Sequence, residues 1–99
     1  MAEIKLDLNN PAFQEGLFSL ERDEALAVLA TLRRIHQMNW DQLHQNRGLQ
    51  WEAILSRTGP AGQRIYSLRV TRRVRAVAYR DGAFLRFLSL HADHDSAYK

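Results

Sequence analysis

Apolar and polar positions alternate through Ile4, Leu6 and Leu8, which predicts a short strand at the start of the chain. Asn9-Asn10-Pro11 then reads as a helix start, because asparagine caps and proline is tolerated at the first helical position. Phe13, Leu17 and Leu20 follow at helical spacing, with Gly16 weakening that helix. Ala25, Val28, Leu29, Leu32 and Ile35 form the clearest helical stripe. Glu21, Asp23 and Glu24 near its start and Arg33, Arg34 and His36 near its end suit the helix dipole. Residues 39–48 read as a polar connector anchored by Trp40 and Leu43. Strands are predicted at Trp51–Leu55, Ile65–Val70, Val74–Arg80 and Ala83–Leu90, with a loop at residues 58–62.

The order β-α-α-β-β-β-β predicts an α+β fold in one domain over residues 1–99. Two N-terminal helices would cover one face of a small, largely antiparallel sheet. Taking Asp81-Gly82 as the hairpin turn pairs Tyr79 with Phe84, Val77 with Arg86 and Arg75 with Leu88. Val74, Ala76, Ala78, Leu85 and Phe87 then share a wholly apolar face, which is the candidate core. A three-residue loop at Thr71-Arg72-Arg73 sets Val70 opposite Val74 and Arg69 opposite Arg75. Ser67, Arg69, Arg75 and Arg86 would therefore converge on the uncovered face. Arginines directly opposite one another repel, so the arrangement makes sense if an anion sits between them.

Charge sharpens this picture. Residues 1–50 carry net −2 and residues 51–99 net +5, and twelve of the fourteen basic residues are arginine. The guanidinium fork suits phosphate, so a nucleic-acid or acidic-protein partner is expected. No apolar run approaches the ~20 residues of a membrane span. The start MAEIKLDL has no signal pattern, and the absence of cysteine excludes disulfides and thiolate metal sites. A cytoplasmic location without membrane association is the expectation.

His91-Ala92-Asp93-His94-Asp95-Ser96-Ala97-Tyr98 closes the chain with three competing chemistries. Metal binding through His91, Asp93, His94 or Asp95 has loose spacing and no upstream ligands, and no cofactor is expected. Acid–base catalysis suits an imidazole, whose ordinary pKa of ~6.5 lets it take and give protons near neutrality. A polar tail without chemistry is the third alternative.

The stretches YSLRV, VRAVAYRDG and FLRFLSLHADHDSAY resemble the closing part of toxins of the RelE/ParE superfamily from bacterial type II toxin–antitoxin systems. WDQLHQNRGLQWEAI resembles the helix-to-strand passage of RelE-like members, and the element order matches along nearly the whole chain. The resemblance implies a small cytoplasmic toxin neutralised by a cognate acidic antitoxin, through which the complex would bind DNA. RelE-like members are mRNA interferases, endoribonucleases that cut mRNA in the ribosomal A site. ParE-like members share the fold but inhibit DNA gyrase. A third possibility is an inactive, antitoxin-binding relic. Carried over by position, the resemblance assigns Arg69, Arg75, His94 and Tyr98 to catalysis. Arg72, Arg73, Arg86 and Ser67 would contact the nucleic acid. Ser67 stands where some RelE toxins have a second basic residue, which favours the histidine-using members.

Overall fold

The computed structural model describes residues 4–92. Strand β1 (Lys5–Asp7) leads into helices α1 (Pro11–Phe18), α2 (Arg22–His36) and α3 (Trp40–Gln45). Strands β2 (Glu52–Thr58), β3 (Arg64–Arg69), β4 (Arg75–Asp81) and β5 (Phe84–His91) follow. They form a five-stranded sheet in the order β1-β5-β4-β3-β2. Only the β1–β5 pair is parallel; the β2-β3-β4-β5 meander is antiparallel. The architecture is thus α+β, with N-terminal helices packed on a mixed, largely antiparallel sheet.

Local chemistry explains most boundaries. Asn10 caps α1 by accepting a hydrogen bond from the Ala12 backbone N–H at 2.8 Å, with Pro11 next to it. The expected connector at residues 39–48 contains α3 instead. Its start is a capping box: the Asn39 side chain accepts from the Gln42 N–H, and the Gln42 side chain accepts from the Asn39 N–H. Trp40 and Leu43 are buried from that helix, as anchoring residues should be.

The main core lies between the helices and one sheet face. It gathers Phe13, Val28, Leu32, Ile35 and Leu43 against Leu68, Val70, Val74, Ala76, Ala78, Leu85 and Phe87. The rings of Phe13 and Phe87 meet at a centroid distance of 5.3 Å. Leu29 departs from the expected stripe: it is exposed, and Thr31 is buried in the α2 interface. Among the described residues, no helix is long and apolar enough to cross a membrane.

Two glycines matter to this packing. Gly82 has φ +60°, the positive value a II′ turn needs at its first central position. The turn is centred on Gly82-Ala83 rather than Asp81-Gly82, because Asp81 extends the ladder by pairing with Phe84. Gly16 lets α1 approach β5: an added Cβ would lie 3.0 Å from Leu90 Cβ and 3.3 Å from the Leu90 carbonyl oxygen. Gly16→Ala gains roughly 0.5–1 kcal/mol of helix preference. Overpacking against a strand backbone costs typically ~1–3 kcal/mol, so net destabilisation is expected. Thermal melting checks this, and a raised midpoint would refute the close-approach explanation.

Candidate functional site: the uncovered sheet face

Strand alternation and one bulge decide what the uncovered face presents. β4 pairs with β5 as Asp81↔Phe84, Tyr79↔Arg86 and Ala78↔Phe87, then shifts to Val77↔Ser89, Ala76↔Leu90 and Arg75↔His91. Leu88 is the extra residue of a β-bulge. Without it, simple alternation from Phe87 would send Leu90 outward and His91 toward the helices. With it, Leu90 packs against the main core and His91 shares the uncovered face with Arg75. Beneath them lies a second apolar cluster of Ile54, Ile65, Val77 and Tyr79, with Leu88 packed against it. The uncovered face therefore has an apolar floor with a polar group at one end.

That polar end is built from three strands and the loop before β2. Arg75 is 5% exposed, an unusual depth for a guanidinium. Its Nη1 donates to Gln50 Oε1 at 2.9 Å, and its Nη2 donates to the Gln50 carbonyl at 3.1 Å and to Ser67 Oγ at 2.9 Å. Nε is buried with no hydrogen-bond partner among the described residues. Gln50 reaches Arg75 from a left-handed backbone conformation with φ 48°, uncommon for a residue with a side chain. Arg75 is thus surrounded by neutral oxygen acceptors and forms no ion pair among the described residues.

His91 stands opposite Arg75 in the register, with its Nε2 2.8 Å from Ser89 Oγ. Burial pushes its pKa below the ordinary value, and the positive charge of Arg57 on β2 pushes it the same way. The folded protein therefore favours the neutral imidazole. By linkage, that contribution to stability is complete above the unfolded value of ~6.5 and is lost as pH falls through the lower folded value. Arg57→Gln should raise the His91 pKa part of the way back, since burial is the larger cause and remains. An NMR titration of the His91 ring checks this; an unmoved midpoint would place Arg57 outside its field.

The three arginines expected to converge do not form one pocket. Arg69 and Arg75 are opposite in the register as expected, yet their side chains part. Arg69 bends back over the β3–β4 turn, its Nε donating to the Thr71 carbonyl at 3.3 Å and its Nη2 to the Arg72 carbonyl at 3.2 Å. Like charges that repel across a ladder separate when each finds oxygens of its own. Arg86 lies nearer the hairpin end, where its Nη1 meets Asp7 Oδ2 at 2.6 Å and its Nε meets Asp81 Oδ2 at 2.9 Å. The Asn9 backbone N–H and then Arg86 hold the Asp7 carboxyl below the usual range. Arg72 and Arg73 occupy the exposed β3–β4 turn, and Ser67 is fully buried beside Arg75. His94 and Tyr98 lie outside the described residues.

The structure brings together Ser67, Arg75 and His91, and adds Gln50, Arg57 and Ser89, which the sequence did not single out. Arg57 falls just beyond the predicted end of its strand at Leu55; β2 runs on to Thr58 through a register shift between Ala53 and Thr58. Among the described residues, no group of three or more histidine, aspartate or glutamate side chains is placed to hold a metal ion.

A scan against protein-family models finds no match, and a search of curated proteins finds none either. Among solved structures, the chain is similar to a copper-bound mutant toxin from Helicobacter pylori, with 18% sequence identity and a TM-score of 0.49. The match covers 97% of this chain and 98% of that one.

Proposed function

We propose that this chain is a toxin of the RelE/ParE kind and, within that superfamily, a ribosome-dependent endoribonuclease neutralised by an acidic antitoxin. The observation that carries the proposal is His91 on the uncovered face, biased toward its neutral form and next to Arg75. A neutral imidazole beside fixed positive charge is equipped to remove a proton from a group held against a phosphate. The strand passages that resemble RelE toxins end in this region.

In the proposed reaction the nucleophile belongs to the RNA. His91 takes the proton of a 2′-hydroxyl, and the freed oxygen forms a bond to the adjacent phosphorus. The bond from phosphorus to the 5′-oxygen breaks, and that oxygen takes a proton from an acid, for which His94 is the candidate from the sequence. The products are a 2′,3′-cyclic phosphate and a 5′-hydroxyl. Arg57 would face the charge that builds on the phosphoryl oxygens. Arg75, buried and gripped by Gln50 and Ser67, is a positioning residue that keeps positive potential under the site. A ribosome holding the codon would supply the attack geometry, so little cutting of naked RNA is expected.

One observation favours a second assignment, a ParE-like gyrase inhibitor. Arg69, Arg75 and Arg86 all spend hydrogen bonds within the protein rather than presenting a common anion pocket. Primer extension on mRNA in a translating extract, run beside a supercoiling assay, separates the two. Discrete cuts within codons support the nuclease. Intact mRNA with arrested gyrase would replace it by the second assignment.

A further inference from the structure

Away from the uncovered face, a groove of about 520 Å³ runs between α2 and the β3–β4 turn. Arg34, Arg69 and Arg72 line it, together with Thr31, Asn46 and Thr71. Among the described residues no aspartate or glutamate lines it; Glu24 borders it, accepting a hydrogen bond from Thr71 Oγ1 at 3.2 Å. Three guanidinium groups around one cavity, against the single described carboxylate of Glu24 at its border, give a site of net positive potential suited to an anion.

The hydrogen bonds leave most donors unspent. Arg34 gives one N–H, to Thr31 Oγ1 at 3.4 Å. Arg69 gives two, both to carbonyl oxygens of the turn, and these hold its fork at the groove. The Arg72 side chain donates to no described residue, and none of the three forms an ion pair among the described residues. Asn46 uses its side-chain oxygen to accept from the Leu49 N–H at 3.1 Å, which leaves its amide nitrogen as a donor. The wall thus offers many N–H groups and few uncommitted acceptors.

We infer that this groove binds a phosphate group, and that its physiological source is the backbone of a polynucleotide. Phosphate fits the guanidinium fork with paired hydrogen bonds. The basic surface also continues past the groove, through Arg33 beside Arg34 and Arg47 beside Asn46, both exposed. A track longer than one anion suits successive phosphodiesters better than a lone ion. The inference holds whether or not the uncovered face cuts RNA, because it concerns binding at separate residues.

The test uses the full chain and a fluorescent single-stranded oligonucleotide carrying 2′-O-methyl groups, which cannot be cut by 2′-hydroxyl attack. Binding is followed by anisotropy across a salt series. Arg34→Gln and Arg72→Gln are each expected to weaken binding roughly fivefold or more and to flatten the salt slope by about 0.7. Arg22→Gln, which removes an equal charge from the opposite end of α2, should change neither. Inorganic phosphate should shift NMR signals of the groove residues; if it does while the oligonucleotide does not bind, the site takes free phosphate and the polynucleotide assignment falls. If both groove variants behave like Arg22→Gln, or if a polyglutamate chain displaces the oligonucleotide at equal charge concentration, the inference is overturned.

Discussion

Replacing His91 by alanine is expected to lower codon cleavage in a translating extract by ~10²–10⁴-fold, the usual contribution of a positioned acid–base group. The fold should survive. His91 lies near the end of an edge-proximal stretch of β5, and the bond to Ser89 Oγ is one of the interactions lost. A neutral hydrogen bond contributes ~0.5–1.5 kcal/mol, and ~1 kcal/mol moves the midpoint of a domain of this size by roughly 4–8 °C. A small drop in melting temperature beside a large drop in cleavage separates chemistry from stability. The pH profile carries a second signature. Because burial and Arg57 depress the His91 pKa, the acidic limb of cleavage should lie below ~6.5, and Arg57→Gln should shift that limb upward. Cleavage by the alanine variant at the wild-type rate would remove His91 from the mechanism.

The elements that alternate or repeat regularly were legible in the sequence. The β3–β4 pairing came through intact, with Val70 facing Val74 and Arg69 facing Arg75, since a short turn fixes register. The apolar set under the helices also came through, because the hairpin turn shifted by one residue on each strand and left the faces unchanged. Helix α3 was hidden from periodicity, since six residues give too few apolar positions for a period; the Asn39–Gln42 box and the resemblance of WDQLHQNRGLQWEAI to a helix-to-strand passage marked it instead. The convergence of arginines failed for a different reason. Alternation gives the side of the sheet from which a side chain leaves, and nothing about where a long guanidinium ends. Arg86 ends on Asp7, a residue 79 positions earlier that only the parallel β1–β5 pairing brings near. Arg75 ends on Gln50, whose left-handed backbone has no signature in composition.

The β-bulge at Leu88 leads to the most discriminating expectation about the site. Deleting Leu88 should preserve cleavage. The deletion removes the extra residue and leaves Phe87 inward, Ser89 outward, Leu90 inward and His91 outward, in the pairing they already have with β4. What is lost is the packing of Leu88 on the cluster of Ile54, Ile65, Val77 and Tyr79, up to ~1.5–3 kcal/mol if that side chain were fully buried. Inserting one alanine between Ser89 and Leu90 should do the opposite. Alternation would then turn Leu90 into solvent and swing His91 toward the helices, away from Arg75. Cleavage should fall as far as it does for His91→Ala, although every original side chain is still present. Cross-peaks between the His91 ring and Val77 report the geometry directly, and they should persist in the deletion and vanish in the insertion. A deletion as inactive as the insertion, or an insertion as active as the wild type, would mean that the side of the sheet on which His91 emerges is irrelevant to what this face does.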